Sequence, residues 1–278
     1  MSRRTTLADF KPNVIDLQRL SDEFDGVQLE QKYRDNLRKW NLVVAIVQLI
    51  SFLSVLIISL VNRDTARRVD LWVVIARGTA IRDLGSYPLF VTLVLFPLIT
   101  AIFHLLAYAN VDNYYSDVLT RGRNRLRWIE YAITNSLMTL SLFGIAGAGS
   151  VVVFVLGVLA NCLMQYFGFL HEDLMHIREP SKRNLIYIGV GFLPWLQIWI
   201  TILVFHGLNF GTAVLSDNFA IFGSFLWSLA FVLPLLWFYR KSNTARNYYT
   251  LEIMYIFLSL TAKLYLDWTV VIGGLVDN

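Results

Sequence analysis

The chain has 278 residues, of which 56% are hydrophobic, 14% aromatic and only 16% charged. Soluble chains carry about a quarter charged residues, so an ordinary soluble domain and a disordered chain are both excluded. Its one cysteine, Cys162, excludes a disulfide-built scaffold. The net charge of +4, from 24 Lys and Arg against 20 Asp and Glu, fits membrane orientation and gives no sign of a nucleic-acid partner.

Residues 1–39 are polar, hold no signal-peptide-like run and read as a cytoplasmic segment, with Val14–Leu20 as a short surface helix. A spanning helix needs about 20 apolar residues. Seven candidates follow: Asn41–Val61, Leu89–Ala109, Leu126–Gly147, Val151–Leu170, Leu185–Phe205, Phe219–Phe238 and Tyr248–Ile272. Trp40, Trp237, Tyr239 and Tyr248 stand at span ends, where aromatic belts form. The expected fold is an all-α membrane protein with seven transmembrane helices over residues 40–274. In the long loop 62–88, Val69, Leu71, Val73 and Ile75 alternate onto one face. Arg77-Gly78-Thr79 then offers a turn before Ala80–Leu84, which predicts a β-hairpin.

Basic residues set the orientation. The N-terminal segment, Arg121–Arg127, the stretch with Arg178, Lys182 and Arg183, and the stretch with Arg240, Lys241 and Arg246 share one side. The other side has basic residues only in the loop 62–88, among them Arg63, Arg67, Arg68, Arg77 and Arg82. The N-terminus is therefore expected in the cytoplasm. The hairpin and the 275–278 tail are expected outside.

Ionisable groups within spans are costly and mark function. Lys263 sits mid-span between Ala262 and Leu264, with Asp267 four residues on. Glu130 lies in the third span one turn after Arg127, and His104 lies in the second. Glu172 ends the fourth span, His206 the fifth, and Glu252 sits near the start of the seventh. Two readings stay open for Lys263. It forms a structural ion pair, or its amine forms a Schiff base with a carbonyl compound such as membrane-soluble retinal. Either needs a buried anion, and Glu130 is the carboxylate well inside another helix. Pairing would require the third helix to begin near Asp117, because hydropathy places Glu130 and Lys263 at different depths.

Seven spans, the lysine in the seventh and Arg127-x-x-Glu130 resemble a microbial rhodopsin. The inverted orientation and Arg127-Trp128-Ile129-Glu130-Tyr131, running on to Ser136 and Met138, resemble specifically a heliorhodopsin. Pro194-Trp195 and Ser259-Leu260-Thr261-Ala262-Lys263 fit as well. The resemblance implies a rhodopsin-like bundle and all-trans retinal bound covalently to Lys263, with Glu130 as counterion. It implies a pocket drawn from Tyr131, Thr134, Met138, Gln165, Trp195, Phe231 and Ser259. His104 and Arg127 would line a cytoplasmic-side cavity. A histidine common in the family's first helix is absent here, and Gln48 is that span's main polar side chain. The resemblance also implies a homodimer, to which Gly144–Gly149, Gly157 and Ala160 would lend close backbone approach.

Where proton pumps of the wider superfamily carry further acids, this chain has Ser141 and Ser259. That favours a photosensor with a slow photocycle, docking a cytoplasmic signalling or transporter partner, and not an enzyme. Asp267 is expected to meet water at the outer boundary. If it does not, Glu130 and Asp267 open a second reading as a light-driven proton transporter or channel. A metallohydrolase reading would use His171, Glu172, Asp173 and His176, which lack the i, i+4 histidine spacing of a helical metal site. A solute carrier would need polar side chains along several helices, and most spans are too apolar.

Overall fold

The computed structural model describes residues 14–62, 67–75, 80–175 and 185–276. The proposed hairpin turn Arg77-Gly78-Thr79, residues 1–13, Arg63, His176, Arg178, Lys182, Arg183 and residues 277–278 lie outside this range.

Nine helices occur among the described residues: α1 (Val14–Val61), α2 (Phe90–Tyr108), α3 (Tyr114–Arg121), α4 (Arg125–Ile145), α5 (Val151–Met175), α6 (Ile186–Leu208), α7 (Leu215–Ala230), α8 (Val232–Tyr239) and α9 (Ala245–Val276). The bundle turns the soluble pattern inside out. On α1, Ile46, Ile50, Leu53 and Ile57 repeat at three- and four-residue spacing and are exposed, as on a lipid-facing stripe. Asn41, Gln48 and Ser51 on the opposite face are buried.

Among the described residues, six segments are long and apolar enough to cross a membrane. The seventh span is α4, whose apolar character is broken by Arg125, Arg127 and Glu130. It packs against α2, α5, α6 and α7, so its polar groups are satisfied within the protein.

Several boundaries differ from expectation. Val14–Leu20 is no separate surface helix but the start of α1, which continues unbroken into the first span. The third helix does not reach back to Asp117. Gly122, at φ +60, ends α3, and Asn124 caps α4 by accepting from the Arg127 backbone N–H. The sixth span breaks at Phe231 into α7 and α8. Pro234 causes the break, because it has no N–H for the carbonyl of Ala230 four residues earlier.

The expected hairpin is present. Strands β1 (Arg68–Ile75) and β2 (Ala80–Pro88) pair antiparallel, with an irregularity between Asp70 and Trp72. There β2 carries an extra residue beside Gly85, whose φ of +91 suits glycine. The hairpin is docked onto the bundle. Trp72 donates its backbone N–H to Gly149 (3.0 Å), and Arg67 reaches Asp217 of α7 (2.6 Å) and the Ile145 carbonyl (3.2 Å). Three of the glycines expected to lend close backbone approach to a dimer make close approaches inside the protomer. A Cβ at Gly149 would stand 2.0 Å from the Asp70 carbonyl oxygen, at Gly144 2.7 Å from Val69, and at Gly157 2.2 Å from the Phe143 ring.

Candidate functional site

Lys263 is almost fully buried, and its Nζ donates to Glu130 Oε1 and to Ser259 Oγ, the latter at 3.0 Å. Glu130 is itself buried. They meet although Glu130 lies in the second turn of α4 and Lys263 in the middle of α9. The reason is that the first turns of α9 run beside α3 and the α3–α4 connection, so the two helices are offset along their axes. Side chains also lean toward the helix N-terminus, which carries the long Lys263 stem back toward Glu130.

Beside this pair lies an apolar cavity of about 200 Å³ between α4, α5, α6, α7 and α9. Its wall includes Ala262, next to Lys263, and Tyr131, whose ring centre is 5.3 Å from Nζ. Met138, Gln165, Trp195 and Phe231, pocket candidates by family resemblance, also line it. Thr134 does not; its hydroxyl donates back to the Glu130 carbonyl (3.0 Å). Ser259 lines instead a smaller space with His104, Arg127 and Glu130. Trp195 stacks on Phe192 with ring centres 4.4 Å apart, and its indole N–H donates to Ser228 (3.1 Å). Gln165 donates to Asn161 (3.2 Å), which donates to Ser136 (2.9 Å). Gly168 leaves room for the Trp128 ring, since a Cβ there would fall 2.3 Å from it. An aromatic, largely apolar slot beside a buried amine has the lining that an extended apolar aldehyde such as retinal would need.

At the end of the bundle near α3, Arg127 is buried and ion-paired through separate nitrogens to Glu172 and Glu252. Its guanidinium lies 4.1 Å from the Tyr255 ring centre. Glu172 also accepts from the Trp128 indole (2.5 Å) and the Asn124 backbone N–H (3.1 Å). Glu252 accepts from Asn124 Nδ2 (2.6 Å) and Tyr114 (3.0 Å). The sequence placed Glu172 and Glu252 at span ends but did not join them to Arg127. The available signal was Asn124, an N-cap residue directly before Arg125. Asp173 pairs with Arg123 (2.7 Å), so the acids of the imagined metal cluster serve as ion-pair partners. His104 Nδ1 meets Asn41 Oδ1 at 2.7 Å.

Asp267 departs from expectation. It does not meet water at an outer boundary; it is fully buried and accepts from Ser51 of α1 at 3.3 Å. His206 is buried at the hairpin end and faces Asn218 (2.9 Å), away from the lysine pair.

The heliorhodopsin family model matches residues 37–275. No curated protein matches the chain.

Proposed function

Because the chain belongs to the heliorhodopsin family, an integral multi-pass membrane group of light-responsive retinal proteins, we propose that all-trans retinal attaches covalently to Lys263. Glu130 is its counterion. The observation that carries this reading is a buried lysine amine, paired with a buried carboxylate, at the wall of an aromatic cavity. Retinal supplies visible absorption and a light-driven change of shape. The chain's residues do the rest. Glu130 holds the positive charge at Nζ, and Ser259 offers a second acceptor. Tyr131, Met138, Gln165, Trp195 and Phe231 fix the slot. The Arg127 cluster holds the start of α4, and with it Glu130, in place.

The reading is a photosensor with a slow photocycle and no outward proton pumping. Ser141, at a position where pumps carry an acid, instead donates to Thr92 (2.7 Å). The basic end of the bundle faces the cytoplasm, where a signalling or transporter partner would dock, and the hairpin faces outside. A homodimer follows from family resemblance alone. One observation favours the second reading, light-driven proton movement through Glu130 and Asp267: the burial of Asp267.

Reconstitution with all-trans retinal tests the assignment. A visible band that hydroxylamine bleaches is expected, and Lys263→Ala is expected to be colourless. A retained band in that variant would move the attachment elsewhere. In illuminated whole cells little pH change is expected. An uncoupler-sensitive change abolished by Asp267→Asn would instead establish transport.

A further inference from the structure

The seam between α1, α2 and α9 holds polar groups that the retinal reading does not use. Asp267 is fully buried, yet among the described residues its only hydrogen bond is the 3.3 Å contact from Ser51 to Oδ2, and Oδ1 has no partner. Lys263 does not fill this gap, because its amine is turned to Glu130 and Ser259. One turn before Ser51, Gln48 is fully buried with both amide atoms unpartnered. On α2, Thr100 Oγ1 is equally buried and unpartnered. So is Nε2 of His104, one turn along the same face. Pro97, also on α2, has no N–H to offer the Leu93 carbonyl.

Buried polar atoms find partners in nearly all proteins, and where protein supplies none, internal water does, typically making about three hydrogen bonds. A carboxyl with one long hydrogen bond and no cation in contact is poorly placed to hold a bare charge. The titratable groups around it are Lys263, and beyond that Glu130 and His104; the α1 face contributes only neutral Asn41, Gln48 and Ser51. We propose that Gln48, Ser51, Thr100 and Asp267 form a hydrated proton-binding site, in which water bridges the side chains and Asp267 carries an exchangeable proton. The site lies across Lys263 from Glu130.

Infrared spectroscopy of the dark protein tests this with or without retinal, so its outcome is separable from that of the pigment assignment. The expected spectrum has a protonated carboxyl C=O stretch that shifts in D2O, is absent in Asp267→Asn and persists in Glu130→Gln. Water O–D stretches sensitive to oxygen-18 water should weaken in Gln48→Leu and Thr100→Val. Ser51→Ala, which keeps the carboxyl and trims one hydroxyl, should move the C=O band without removing it. A C=O region identical in wild type and Asp267→Asn would overturn the proposal. So would oxygen-18-sensitive bands unchanged in both water-site variants.

Discussion

A buried ion pair has two unequal failure modes, because removing one partner strands the other charge. Glu130→Gln leaves the charge at Lys263 without its anion, and loss of one partner of such a pair costs about 3–5 kcal/mol. The expected outcome is a lower unfolding midpoint, read by thermal melting in nanodiscs, and a visible band moved to the red. Unchanged colour would assign the counterion role to another acid, with Asp267 first. The Arg127 cluster gives an asymmetric prediction. Arg127→Met strands two buried carboxylates, whereas Glu252→Gln leaves the guanidinium paired with Glu172. Arg127→Met should therefore lower the melting midpoint clearly more than Glu252→Gln does. Lys263 and Glu130 were legible in the sequence because a charge inside an apolar run is conspicuous. Thr100 and Asn161 were not, and Gln48 was visible only as a polar side chain without a role, because a neutral polar side chain in an apolar run leaves no sequence trace of its partners.

Elements were legible where periodicity and apolar length agree, as in α2, α5 and α6. Their limits were not. Hydropathy placed the first span after a polar segment, but the α1 backbone continues through that polarity because a helix satisfies its own backbone hydrogen bonds. Hydropathy placed α4 within a residue or two of its observed limits, but the extension back to Asp117 that pairing Glu130 with Lys263 was expected to need is absent. The offset of α9 along α4 makes the pairing instead, and Arg127 is buried among carboxylates. The break at Phe231 was written in Pro234, four residues after Ala230, yet an apolar count passes over proline. The hairpin offers a test at this scale. Gly149→Ala places a methyl group against the Asp70 carbonyl, so the strand must move. Faster proteolysis or amide exchange across 68–88, with the bundle still folded, is the expected result.

At the scale of the molecule, charge decides which end faces which compartment. The basic residues at the hairpin end are partly committed to structure: Arg67 binds Asp217, and Arg68 binds Ser86 through its side chain (2.9 Å) and carbonyl (3.0 Å). At the opposite end, Arg121, Arg240 and Lys241 are exposed, and the positive-inside bias leads us to expect that end in the cytoplasm. In a Cys162→Ala background, a membrane-impermeant maleimide applied to intact cells should label Ser86→Cys and spare Arg121→Cys. The reverse pattern would invert the topology. Mass photometry in nanodiscs should find a dimer, and a monomer there would remove a proposal that the internal use of Gly144, Gly149 and Gly157 leaves resting on resemblance.

The break at Phe231 has a mechanical consequence. Phe231 is at once a wall of the cavity and the joint between two rigid rods, α7 and α8. The rod α8 is eight residues long, about 12 Å, so a tilt of about 10° at the joint swings its far end by about 2 Å. That far end leads directly to Arg240 and Lys241. A change of contour in the cavity thus has a lever already attached, whose output is the position of two positive charges at the bundle surface. Spin labels at Tyr239 and on the fixed start of α4 would register that swing under illumination. Replacing Pro234 with alanine, which lets α7 and α8 fuse, should stiffen the lever and suppress it.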